Sequence, residues 1–172
     1  MGIFDFLKSK KTENNISEPK KAESKKLESI FDLFTSDLRS FPDNSFVKGN
    51  EETNESGNKI INYRKDLNPM ELGLFDTLEL KTFEDLNNKN LIFSNFNFSK
   101  SQIGKIKNFV DKAYLLYGID SSQKGKFTNS DTEEFNDDFW LGRRWTEDNH
   151  KPPIAISYDE DYGLSLTIWL SE

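Results

Sequence analysis

The sequence predicts an α+β protein: a mostly antiparallel sheet of five to six strands, two helices packed on it, and a closing three-strand meander. Three observations predict this. Residues 103–117 repeat apolar side chains with a helical period. Residues 154–170 alternate them with the period of a strand. The whole chain reads helix, three strands, helix, three strands, an order that segregates helices to one face of an antiparallel sheet.

Taken in order, residues 1–26 read as a lysine-rich flexible tail with a short apolar start, and residues 27–172 as a single α+β domain. The start places Ile3, Phe4, Phe6 and Leu7 ahead of a stretch, 8–26, that is nearly all charged or polar. Those four residues form a weak candidate anchor for a membrane surface or a partner groove. In residues 27–41 the side chains Leu27, Ile30, Phe31, Phe34, Leu38 and Phe41 draw one apolar stripe, and Pro42 stops the helix. The stripe suits packing on its own domain or presentation to another protein. Residues 43–58, rich in Asn, Glu, Gly and Ser, read as a polar loop.

Strands are expected at Lys59–Tyr63, Thr77–Phe83 and Leu91–Phe98, with Ile92, Phe96 and Phe98 sharing one side of the last. Asn87 to Asn90 reads as the turn before it. Ser99 or Ser101 caps the helix that carries Ile103, Ile106, Phe109, Val110, Ala113, Tyr114 and Tyr117, and Gly118 ends it. Gly104 inside that helix marks a close backbone approach. Residues 119–137 read as an acidic, glycine-containing loop.

Three strands close the chain: Asp138–Trp145, Ile154–Tyr158 and Leu164–Leu170. In the last, Leu164, Leu166, Ile168 and Leu170 point one way, and Ser165, Thr167 and Trp169 the other. Directly opposed residues of an antiparallel pair share a face. Ile154 and Ile156 therefore find apolar partners only if Tyr158 opposes Leu164, Ile156 opposes Leu166 and Ile154 opposes Ile168. That register leaves Asp159 to Gly163 as a five-residue loop, with Gly163 free to take positive φ.

Composition narrows the function. Among 172 residues there are 15 phenylalanines and no cysteine, so an aromatic core is expected, and thiolate metal sites and disulfides are ruled out. No transmembrane segment or secretory leader is read, and the expectation is a cytoplasmic protein. The net charge of −7 divides unevenly. Residues 1–30 hold seven lysines against five acids, and the remainder carries a strong negative excess. A body of that sign repels nucleic acid and favours a basic protein partner.

No constellation names a reaction. The acids at Asp131, Glu133, Glu134, Asp137 and Asp138, and at Asp159, Glu160 and Asp161, have residue types that bind divalent cations or divide acid and base work. Acids in turns are also what solvated loops normally contain, and that is the favoured reading. His150 is the sole histidine and has no sequence partner for catalysis. The segment Phe139 to Trp145 is the more informative one. On a regular strand Trp140 and Arg144 share a side, opposite Phe139, Leu141, Arg143 and Trp145. Trp169, turned from the leucine face, joins Trp140 and Arg144 if it is exposed. Arginine–tryptophan stacking and recognition hot spots use these residue types.

The expected function is accordingly a non-catalytic acidic protein that binds another protein, in an immunity-like or accessory role, without a cofactor. Its candidate surface is Trp140, Arg143, Arg144, Trp169, Asp159, Glu160 and Asp161. A metal-dependent or carboxylate-based hydrolase and a carbohydrate-binding module, the latter on Trp140 and Trp169, are the alternatives.

Overall fold

A computed structural model describes residues 30–31, 42–67, 73–83, 88–146 and 151–170. The tail at 1–26, His150, and the helix expected at 27–41 apart from Ile30 and Phe31 lie outside the described residues. The elements in chain order are β1 (Val47–Thr53), β2 (Lys59–Asp66), β3 (Thr77–Phe83) and β4 (Asn88–Asn95). A 3₁₀ turn (Lys100–Gln102) then leads into α1 (Ile103–Tyr117), followed by α2 (Asn129–Asn136), β5 (Phe139–Trp145), β6 (Ile154–Asp159) and β7 (Gly163–Leu170).

The seven strands of the described residues form one antiparallel sheet in the order β1-β2-β3-β4-β7-β6-β5. The β6–β7 register is the expected one: Tyr158 faces Leu164, Ile156 faces Leu166 and Ile154 faces Ile168. The ladder runs one pair further, Asp159 to Gly163, so the connecting turn is shorter than expected. Gly163 has φ +76°, and a Cβ there would lie 2.4 Å from the Asn95 carbonyl oxygen, so glycine fits both the turn and the close approach of β4.

The register carries the buried side chains onto one face. Leu78 opposes Phe93, Phe93 opposes Leu166, Leu166 opposes Ile156, and all four are buried. Ile106, Phe109, Val110 and Ala113 of α1 complete this core from above. Phe135 of α2 does the same at the β5 end, stacked on Trp140 at 4.9 Å and on Tyr158 at 5.3 Å. Ile30 is buried in the core, and Phe31 stacks on Phe109 at 4.9 Å. The core is aromatic, as the phenylalanine count implies.

Several expectations are corrected. The loop expected at 43–58 contains β1, an edge strand exposed along its whole length. With water on both sides it needs no apolar alternation, so hydrophobic pattern gives no sign of it. β4 begins at Asn88, in the expected turn, and its inward residues are Leu91 and Phe93, with Ile92 outward. The expected loop 119–137 contains α2. Thr128 caps α2 by receiving an N–H from its first turn while the Asp131 carboxylate accepts the Thr128 amide, a reciprocal capping box. Ser99 caps the 3₁₀ turn in the same manner, one turn ahead of α1. A methyl group added at Gly104 would meet nothing within 4 Å, so no backbone approaches it.

Candidate functional site

The largest correction concerns β5. Trp140 opposes Tyr158, but Arg143 opposes Ile156, so two residues of β5, Leu141 and Gly142, stand against one of β6, Ser157. This is a bulge, and it falls at Gly142, whose φ is +76°. A Cβ at Gly142 would sit 1.7 Å from the Ile156 carbonyl oxygen, so only glycine allows the strands to meet. The extra residue reverses side-chain parity along the strand. Trp140 before it, and Arg143 and Trp145 after it, all face inward and are buried; Phe139, Leu141 and Arg144 are exposed.

Arg143 therefore does not face solvent. Its guanidinium grips Asp131 with two contacts of 2.7 Å and donates to the Gly142 carbonyl oxygen at 3.0 Å. Its Nε lies 3.7 Å from Asp120. Asp131 also accepts from the Trp140 indole at 2.9 Å and from the Thr128 amide at 2.8 Å. Burial pushes the Asp131 carboxyl up, but these donors outweigh it and hold the group below the usual carboxylate range. Asp120 accepts the amides of Ser122 and Gly125. The network fastens the 118–128 segment and α2 to β5, a positioning role internal to the fold. Trp140 and Arg143 are withdrawn from the expected recognition surface because they are spent here.

Arg144 and Trp169 do come together. The Arg144 guanidinium lies 5.3 Å from the Trp169 ring centroid, across the sheet face that points away from α1 and α2. Arg144 opposes Ala155, Ala155 opposes Thr167, and Thr167 opposes Ile92, which places all four side chains on this outer face. Asn90 opposes Trp169 from the β4 side. The middle of the face is small: Ser157, Ser165, Ala155 and Thr167 form a shallow floor between β5 and β4. Large apolar side chains stand at its margins, Leu141 at 68 % exposure and Phe139 at 48 % on β5, and Phe96 at 59 % just beyond β4. Phe139 opposes Asp159, which opposes Gly163, and Gly163 lies against Phe96. The β6–β7 turn with Asp159, Glu160, Asp161 and the exposed Tyr162 thus borders the same end of the face.

The two-indole platform for carbohydrate does not form, since Trp140 is enclosed by Phe127 and Phe135 on the core side. Asp138 pairs with Lys100 at 2.5 Å, and Glu134 with Lys124 at 2.8 Å. Among the described residues, no group of three His, Cys, Asp or Glu side chains converges in a way that would hold a metal ion. Also among them, no helix is long and apolar enough to cross a membrane. A regular strand pattern does not reveal Phe139 and Leu141 as exposed residues. The signal that finds them is Gly142 itself, since a glycine inside a strand pattern marks a bulge.

No family model matches the chain, and no curated protein or solved structure does so either. The geometry alone bears on function.

Proposed function

We propose that this chain is a non-catalytic acidic interaction protein that binds another protein through the outer face of its sheet at the β5–β6–β7 end. The observation that carries the reading is the row of exposed apolar side chains, Leu141, Phe139 and Phe96, around a floor of small residues and beside the Arg144–Trp169 stack. Exposed apolar side chains gathered on one surface and rimmed by polar groups are the usual mark of a protein contact, and aromatic and arginine anchors supply most of the energy at such contacts. Asp159, Glu160 and Asp161 at the rim favour encounter with a basic partner surface and disfavour nucleic acid. The Trp169 ring is already covered on one side by Arg144, an arrangement that suits a protein side chain better than a sugar ring.

The test is comparative affinity capture from host extract with the wild type and with a Phe139→Ser/Leu141→Ser variant, followed by reconstitution with purified components. The expected result is a protein retained by the wild type and lost from the variant, with association slowed by salt. Capture of the same proteins by both forms, or of none by the wild type at low and high salt, refutes the reading.

A further inference from the structure

The outer face of the sheet has a shape that selects what can lie on it. Its cross-strand rows run Ser94, Ser165, Ser157 and then Ile92, Thr167, Ala155, Arg144. The members on β7 and β6 are small, so the floor over these two strands is low. β4 and β5 bound it, three strand spacings or about 14 Å apart. Phe139 and Leu141 line the β5 margin, and Phe96 and Ile92 the β4 margin. An α-helix with its side chains is about 10–12 Å across, so one helix fits between the margins with its axis along the strands. From Gly163 to Trp169 of β7 the channel is about 20 Å long, the length of about 13 helical residues.

An extended segment has no comparable place at this end of the sheet. The free edge of β5 is occupied by the chain itself. The Leu141 amide donates to the Glu134 carboxylate at 3.2 Å, and the Arg144 carbonyl oxygen accepts the Ser121 amide at 2.7 Å. A strand added at that edge would displace both bonds, whereas a helix satisfies its own backbone and asks for none from the sheet.

The two ends of the channel carry opposite charge. Asp159, Glu160 and Asp161 stand at the end bounded by Phe139 and Phe96, and among the described residues none of the three has an ion-pair partner. At the other end the Arg144 guanidinium lies over Trp169. A helix is partly positive at its N-terminus and partly negative at its C-terminus, so these charges set its direction.

We propose, resting on the assignment of this face as a protein contact, that the partner seats a basic amphipathic helix in the channel. The helix N-terminus, with lysines or arginines in its first half, meets the Asp159 to Asp161 turn, and its C-terminus meets Arg144. Its apolar stripe packs on Leu141, Phe139 and Phe96 over the serine floor.

Fluorescence anisotropy of the full chain with stapled peptides of leucine, alanine and lysine, about 15 residues long, tests this. One helix carries its lysines in the first half, and a second carries them in the last half. A third peptide has the same composition without an apolar stripe. Two variants accompany them, with thermal melting of each as a check on folding. Ser157→Trp raises the floor at an exposed position and leaves both margins in place; Glu160→Gln/Asp161→Asn removes charge from the turn. The first peptide is expected to bind about tenfold or more tighter than the other two, to lose about tenfold with either variant, and to weaken with salt. Absence of binding, equal binding of the three peptides, or unchanged binding to Ser157→Trp overturns the proposal. So does self-association that Phe139→Ser/Leu141→Ser abolishes, which assigns the face to a second copy. A host protein that needs Phe139 and Leu141, yet still binds Ser157→Trp and is not displaced by the first peptide, refutes the helix and leaves the protein contact standing. Capture unaffected by Phe139→Ser/Leu141→Ser refutes the contact itself.

Discussion

Replacing Arg143 by methionine probes the buried network most directly. Methionine keeps the volume and the apolar stem but removes the charge. It leaves Asp131 and Asp120, both almost fully enclosed, without the guanidinium that faces them at 2.7 Å and 3.7 Å. Breaking a buried pair by removing one member costs about 3–5 kcal/mol, because the remaining charge keeps its desolvation penalty. For a chain of this size each kcal/mol moves the melting temperature by about 2–4 °C, so the variant should melt roughly 6–20 °C lower. Urea denaturation followed by tryptophan fluorescence measures the loss, and Asp131→Asn with the double variant completes a cycle. The double variant should cost less than the two singles together, since each single already forfeits the same contact. The pH dependence has a definite sign. The folded Asp131 carboxyl lies below its ordinary value, so its pairing stabilises the fold fully above about pH 4 and is lost as pH falls through the folded value. The gap between wild type and Arg143→Met should therefore be full at neutral pH and close in acid. A loss under about 1 kcal/mol, or strict additivity in the cycle, refutes the view that this pair fastens α2 to β5.

Gly142→Ala should destabilise by about 3 kcal/mol or more, because a left-handed alanine costs about 1–2 kcal/mol and the added Cβ collides with the Ile156 carbonyl oxygen; a variant that melts with the wild type refutes the bulge. Phe139→Ser and Leu141→Ser, in contrast, should shift stability by no more than about 0.5 kcal/mol in the same denaturation assay, since both side chains already face water. Acrylamide should quench Trp169 while sparing Trp140 and Trp145, so that Trp169→Phe abolishes the quenchable fraction. Equal quenching of all three indoles would contradict the placement of β5.

How much of this is legible in the sequence follows from where water lies. The β6–β7 hairpin can be read to the residue pair because Leu164, Leu166 and Ile168 face Tyr158, Ile156 and Ile154 in that order, and a slip by one would turn every aliphatic outward. α1 can be read from its stripe and from Gly118. β1 cannot, because a strand solvated on both faces leaves no period. α2 is polar by composition, and its one local mark is the Thr128–Asp131 spacing of a capping box. The candidate site is half legible for a single reason. Regular alternation runs straight through Gly142 and groups Trp140 with Arg144, whereas the bulge separates them. The same bulge turns Arg143, expected at the surface, into an anchor of the interior.

The strand order also has a temporal side. Among the described residues, five of the six ladders join strands adjacent in the chain, and only β4–β7 joins distant ones. Two meanders, β1 to β4 and β5 to β7, can thus form from local pairings, and their union waits for a long closure that includes both helices. During synthesis β4 emerges with an open edge, and its partner is the last of the seven to leave the ribosome. Until then Leu91 and Phe93 lack half of their wall, which makes that interval the one in which a holdase chaperone has most to protect.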